Sequence, residues 1–158
     1  MPAHGAPVGV VKAALGALAT EPGLVLEAAS PILASAPLGP SRRRYANAAA
    51  VVATTLDPPA LLARLQALER AFGRERRDAR WRARTLDLDI VLWSQGAWAS
   101  PQLTIPHPRF RERAFVLRPA LALARNWRDP VSGLRLAHLA ARLTRPRPAR
   151  NAGRGAGP

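Results

Sequence analysis

The run TLDLDIVLW, residues 85–93, constrains the fold of this chain more than any other feature. Successive side chains of an extended segment point to opposite faces. Leu86, Leu88, Ile90 and Leu92 therefore line one face, and Asp87 and Asp89 share the other. The spacing predicts a strand with a core face and two carboxylates side by side. Carboxylates at that range repel, and a low-dielectric setting raises the cost. A divalent cation or a set of arginines removes the repulsion. Two oxygen ligands on one strand suit Mg²⁺, which keeps several waters and shares its sphere with substrate phosphates. A structural salt-bridge pair is the other reading, and a bare D-x-D does not choose between them.

The setting of those acids is basic. The chain of 158 residues carries a formal charge of +14, with Lys12 the only lysine among 24 basic residues. Residues 41–44 (SRRR) hold +3, residues 74–84 (RERRDARWRAR) hold +4, and residues 144–158 hold +4 with no acid. Arginine grips phosphate bidentately, so basic loops point to a nucleotide or a nucleic acid. Drift toward arginine and alanine is the competing account of the tail. With no cysteine, a disulfide framework and a thiolate metal site are both excluded, which suits a reducing cytosol. No apolar run approaches the roughly 20 residues of a membrane span, and the N-terminus lacks a secretory pattern. The expectation is one cytoplasmic domain over 1–143, followed by a disordered basic tail over 144–158.

Along the chain, Val8, Val11, Leu15 and Leu18 predict a helix over 7–20, closed by Pro22-Gly23. Residues 23–36 read as extended with a bend at Pro31, and 45–56 as a second extended piece. Asp57 caps a helix opened by Pro58 and Pro59; its face is Leu61, Leu65, Leu68 and Phe72, and Gly73 stops it. After 85–93 come a turn (94–98), a short extended piece (102–108), a largely helical stretch (109–124), a turn (127–136) and a last helix (135–143). Short connections outnumber long crossovers, which favours an α+β fold with a mostly antiparallel sheet.

Two further features stand near the carboxylates. His107 in LTIPHPRF lies between prolines that fix its backbone, a rigid loop position suited to meeting a ligand. Arg109 and Arg111 read as a solvated helix face, whereas Arg113 precedes the apolar run AFVL. Trp81, inside the arginine loop, reads as a lid or stacking residue. His4 and His138 have no supporting context.

The runs LLARLQALERAFGRERR, RWRARTLDLDIVLW and LTIPHPRFRERAFVLRPAL, with APLGPSRRRYANAAA upstream, closely resemble the 6-hydroxymethyl-7,8-dihydropterin pyrophosphokinases of folate biosynthesis. The resemblance covers about residues 7–143. It implies a ferredoxin-like α+β fold, a monomer, and transfer of a pyrophosphoryl group from ATP to the pterin hydroxymethyl oxygen. It further implies that Asp87 and Asp89 hold two Mg²⁺ ions, with Arg74 and Arg84 joining them as catalytic residues. Gln66, Glu69, Arg74, Arg76, Arg84, Ile90, Thr104, His107 and Arg113 fall at ATP-binding positions. Leu38, Tyr45, Asn47, Trp81 and Phe115 fall at pterin-binding positions.

The chain departs from that family at three places. Members open with a strand and a Gly-Ser-Asn turn, absent here, so an empty central strand position and orphan ladder donors are expected. WRAR stands where Trp-Gly-Pro-Arg is common, and SRRR replaces a less basic loop. A noncatalytic relic that binds a pterin or nucleotide is therefore the second reading. An RNA-binding protein is the third, disfavoured because eight aromatic residues show no stacking motif.

Overall fold

The computed structural model describes residues 7–35, 44–74 and 86–146, with Arg74 placed by its backbone alone. Helix α1 spans Pro7–Thr20, as the spacing predicts, but its buried stripe is Val10, Ala14 and Leu18. Val8, expected on the inner face, is exposed. In a helix this apolar all round, hydropathy sets the element and not its rotation. Gly23, at φ +83°, reverses the chain after α1 in a conformation that disfavours a side chain.

Strand β1 (Leu24–Ala29) pairs antiparallel with β4 (Ala50–Thr54), Leu24 facing Thr54 and Ala29 facing Ala50, with a register shift at Glu27. Strand β2 (Leu33–Ser35) pairs with β3 (Tyr45–Asn47), Leu33 facing Asn47. The predicted bend at Pro31 separates β1 from β2. Buried Ser30 ties the bend down: its N–H donates to the Ala49 carbonyl at 2.8 Å, and its Oγ accepts from the Ala49 N–H at 2.8 Å.

Helix α2 (Pro58–Arg74) starts where Asp57 Oδ1 accepts the Ala60 N–H at 2.8 Å, the expected cap, and runs one residue past Gly73. Its Arg64 donates to Glu21 Oε1 and to the Pro22 carbonyl, fastening the turn after α1. A hairpin follows, β5 (Trp98–Ser100) against β6 (Leu103–Ile105). A 3₁₀ turn at Phe110–Glu112 leads into α3 (Ala114–Ala124), which holds Pro119 buried in its interior. Helix α4 (Leu136–Thr144) closes the described chain. The α+β expectation holds, and every ladder is antiparallel. Pairing is distributed over three two-stranded ladders among the described residues, not gathered into one sheet.

The expected strand over 85–93 needs correction. No residue from 86 to 93 enters a ladder, and β4 has only β1 as a ladder neighbour among the described residues. A strand is defined by a paired neighbour, which alternation cannot supply. Here the backbone is held by other groups. The Leu88 N–H donates to Glu69 Oε1 at 2.6 Å, and the Val91 carbonyl accepts from the His107 N–H at 3.1 Å. The alternation itself survives in part, with residues 86, 88 and 90 half-buried and residues 87 and 89 exposed.

Two apolar clusters form the core. Phe110, Leu117, Ala124, Leu136 and Leu139 make one, with Val91 and Leu92 packed against it. Leu18, Leu24, Leu61 and Leu65 make the other, joined by Val52, Leu56, Leu88, Ile90 and Trp93. Residues 88–93 therefore feed both. Truncating Leu117 (1% exposed) or Leu65 (8% exposed) to alanine should each cost about 2–5 kcal/mol in urea unfolding. Leu117→Ala should be the costlier, because it is the more completely enclosed.

Candidate active site

The segment over 86–93 lies between α2 and the β5–β6 hairpin. An open cleft of about 340 Å³ runs there, lined by Leu62 of α2, Leu88, Asp89 and Ile90 of the segment, and residues 101–104 of the hairpin. His107 and Pro108 close its far side. Four expected ligand-binding residues, Asp89, Ile90, Thr104 and His107, thus meet at one cavity although up to 18 positions apart in sequence.

His107 is held by its own backbone and ring. Its Nδ1 accepts the Arg109 N–H at 3.2 Å, so in the neutral ring Nε2 carries the proton. Nε2 lies 4.0 Å from Asp89 Oδ2, an ion-pair range too long for a hydrogen bond. The Asp89 side chain is 51% exposed and that of His107 24%, so the carboxylate faces solvent and the imidazole forms the wall. Asp87 is also exposed. Among the described residues no group of three or more acidic or imidazole side chains could cage a metal. Exposed paired carboxylates fit a hard cation that keeps waters and takes its remaining oxygens from a ligand.

Helix α2 contributes at Leu62, Gln66 and Glu69, spaced four and three residues apart and so near one face. Leu62 lines the cleft, Gln66 is exposed, and Glu69 Oε1 is committed to the Leu88 amide, between the two aspartates. Arg113 caps α3 with its backbone, its carbonyl accepting the Val116 and Leu117 N–H groups at 3.0 Å. Its guanidinium lies 5.5 Å from the centre of the Phe115 ring. The aromatic positions expected in a flat-ring pocket are open: Tyr45 is 55% and Phe115 51% exposed, while Asn47 is half-buried. Helix α3, which carries Phe115, packs against β3, the strand that carries Tyr45 and Asn47. Leu38, Arg76, Trp81 and Arg84, with the side chain of Arg74, lie outside the described residues.

Sequence reasoning missed one polar constellation. Arg111, read as part of a solvated face, instead forks onto Asp129, which is fully buried. Arg111 Nε donates to Oδ2 at 2.5 Å and Nη2 to Oδ1 at 2.7 Å. The Val131 N–H donates to Oδ1 at 3.0 Å and Ser132 Oγ to Oδ2 at 2.6 Å. An acid leading the turn residues DPVSG was the available signal, since such an Asp bonds the backbone two residues on. The Arg111 guanidinium holds the Asp129 carboxyl far below the usual carboxylate range, helped by Ser132 and the Val131 amide and opposed by burial.

The chain is an α+β protein with an open, carboxylate-bearing cleft between a helix and a hairpin. A family model described as 7,8-dihydro-6-hydroxymethylpterin-pyrophosphokinase (HPPK) matches residues 3–125. A 2-amino-4-hydroxy-6-hydroxymethyldihydropteridine pyrophosphokinase of Synechocystis sp. is 37% identical over 140 residues, 82% of this chain and 71% of that protein. Its namesakes in Pseudomonas aeruginosa and Haemophilus influenzae are 45% and 40% identical over 121 and 119 residues. Those matches cover 76% and 75% of this chain, and 74% of each relative. The chain belongs to the HPPK family.

Two predictions arise from this geometry. Removing the Glu69 carboxylate leaves the Leu88 amide without its charged acceptor, a change of about 1.5–3 kcal/mol. Hydrogen exchange at the Leu88 amide should accelerate at least about tenfold in Glu69→Ala. Glu69→Gln, which keeps a neutral acceptor, should fall between that variant and the unaltered chain. The second prediction concerns acid. With its folded-state pKa depressed, Asp129 contributes stability that is complete above the ordinary carboxylate value of about 3.9. That contribution is lost as pH falls from there toward the lower folded value. Arg111 stays charged throughout and adds no slope. Asp129→Asn should therefore flatten the decline of unfolding free energy below about pH 4, read from urea curves at stepped pH.

Proposed function

We propose that this chain transfers the pyrophosphoryl group of ATP to the hydroxymethyl oxygen of 6-hydroxymethyl-7,8-dihydropterin, releasing AMP, as a step of folate biosynthesis. The observation that carries the reading is the meeting of Asp89, Ile90, Thr104 and His107 in one open cleft of an HPPK-family chain. In this reaction the pterin alcohol oxygen bonds to the β-phosphorus, the bridging α–β P–O bond breaks toward AMP, and the hydroxyl proton is lost. Such chemistry asks for positioning and charge neutralisation more than for covalent help.

The chain's own residues divide that work. Ile90 and Thr104 flank the cleft for the adenine, with Gln66 and Glu69 on the adjoining helix face. His107 and Arg113 grip the triphosphate, together with Arg74, Arg76 and Arg84. Asp87 and Asp89 would hold two Mg²⁺ ions, which when bound neutralise phosphate charge. Tyr45, Asn47 and Phe115 take the pterin with Leu38 and Trp81: the aromatic rings supply flat walls, and the Asn47 amide can read a donor–acceptor edge. The arginine-rich run over 74–84, whose lid role is an expectation from sequence, lies outside the described residues apart from the backbone of Arg74. A ferredoxin-like arrangement, a monomer and a cytoplasmic location complete the reading. It is compatible with the absence, among the described residues, of any helix long and apolar enough to cross a membrane.

The test is AMP release from ATP that depends on both the pterin and Mg²⁺. Asp87→Ala and Asp89→Ala should each lose about 10²–10³-fold in kcat with melting temperature preserved, since each removes electrostatic stabilisation at the transferring group. Full activity in both variants would sink the assignment.

A further inference from the structure

His107 and Arg113 stand at the two ends of a seven-residue stretch. The stretch is tied by short backbone bonds: the Phe110 N–H to the His107 carbonyl at 3.2 Å, and the Arg113 N–H to the Phe110 carbonyl at 3.3 Å. Phe110, wholly buried, fixes where the stretch sits. A single ring in a core cannot by itself stop the 3₁₀ turn from rolling about that ring. Arg111 supplies what is missing. Its guanidinium lies 4.7 Å from the centre of the Phe110 ring and forks onto Asp129. Two parallel bonds to one carboxylate fix direction as well as distance.

The carboxylate is itself immobile. Besides the two Arg111 bonds it accepts from Ser132 and the Val131 amide, so each oxygen has two donors. Its backbone is bonded on both sides: the Asp129 N–H donates to the Leu134 carbonyl at 2.9 Å, and the Gly133 N–H donates to the Asp129 carbonyl at 2.8 Å. The turn is joined to α4 by the Leu136 N–H, which donates to the Trp127 carbonyl at 2.9 Å. Leu136 is in the same cluster as Phe110. For stability alone, a buried ion pair is a poor choice, since an apolar replacement is often as good or better. A fork between two anchored elements is a good choice for orientation.

We propose that Asp129 and Arg111 are positioning residues that hold the 107–113 stretch so that His107 and Arg113 present their cationic and N–H groups to the ATP phosphates. This rests on the reading that those two residues contact the triphosphate. Asp129 is fully buried and the Arg111 guanidinium is committed to it, so both would act through the backbone of the stretch. A displacement of order 1 Å in such groups can cost about 10²-fold in rate.

The experiment compares Asp129→Asn and Arg111→Lys with the full unaltered chain. It measures the KM of ATP, the KM of the hydroxymethyl pterin, melting temperature, and calorimetric affinity for a non-hydrolysable ATP analogue with Mg²⁺. In both variants the KM of ATP and the analogue Kd should rise about tenfold or more, with the pterin KM changed less than about twofold at a temperature where the protein is folded. Ring ¹⁵N shifts of His107 should also move, as its Nδ1 bond to the Arg109 amide loosens. Should Asp129→Asn fail to fold, Arg111→Lys decides alone, because Arg111 is 30% exposed and lysine keeps the charge without the fork. Folded variants with unaltered ATP affinity overturn the proposal. So does an equal loss for ATP and pterin that tracks melting temperature, which marks a merely structural pair. His107→Ala and Arg113→Ala serve as controls. If they leave ATP affinity intact, the underlying site assignment fails and the positioning proposal with it. If they weaken ATP binding while the clamp variants do not, only the positioning proposal fails.

Discussion

Everything at the cleft depends on the burial of one extended segment by two cores at once. Leu88, Ile90 and Trp93 pack into the cluster built from α1, β1 and α2, and Val91 and Leu92 into the cluster built from α3, α4 and the 3₁₀ turn. Apolar burial of this kind is non-directional and contributes about 25 cal/mol per Å². It holds the segment between two masses without fixing its twist. Direction comes from polar contacts at two backbone points, Glu69 to the Leu88 amide and His107 to the Val91 carbonyl. The exposed aspartates are thus presented by a segment whose apolar side chains leave it little freedom.

The arginines show how little a net charge says until each residue is placed. Arg64 fastens the turn after α1, Arg111 is spent on a buried carboxylate, and Arg113 lies over an aromatic ring at the start of α3. Two of these three guanidiniums are already bonded to acids of the chain. A phosphate-bearing ligand therefore meets a selected subset of the +14, not a uniform field. Among the described residues, the ring of His107 lies 4.0 Å from the Asp89 carboxylate.

Much of the local chemistry is legible in the sequence. The Asp57 cap, the proline opening of α2, the bend at Pro31, and helices over 7–20 and 136–144 follow from residues that act on their own neighbours. What escaped depended on distant partners. The inner face of α1 is chosen by what packs on it, and a mainly apolar helix carries no rotation signal of its own. The run over 85–93 alternates like a strand, yet a ladder needs a second chain segment that alternation does not name. Arg111 looked solvated because Asp129, 18 residues away, is invisible from its surroundings. At the cleft, Asp89 follows from the spacing of the carboxylates and His107 from its proline-bounded loop, whereas Ile90 and Thr104 follow from the family resemblance alone. Glu69 was expected at the nucleotide, whereas one of its oxygens supports the backbone between the aspartates.

Pro119, buried in the middle of α3, has a consequence for the front of that helix. A proline has no N–H to send back to the carbonyl four residues earlier, which belongs to Phe115. The first turn of α3, carrying Phe115 and following directly on Arg113, is therefore stitched to the rest of its helix by one bond fewer than a regular helix would have. That leaves a weaker joint behind the first turn of the helix, next to Arg113 and Phe115. The stiffness of such a turn has to be imported from neighbouring elements, such as the strand β3 on which α3 packs.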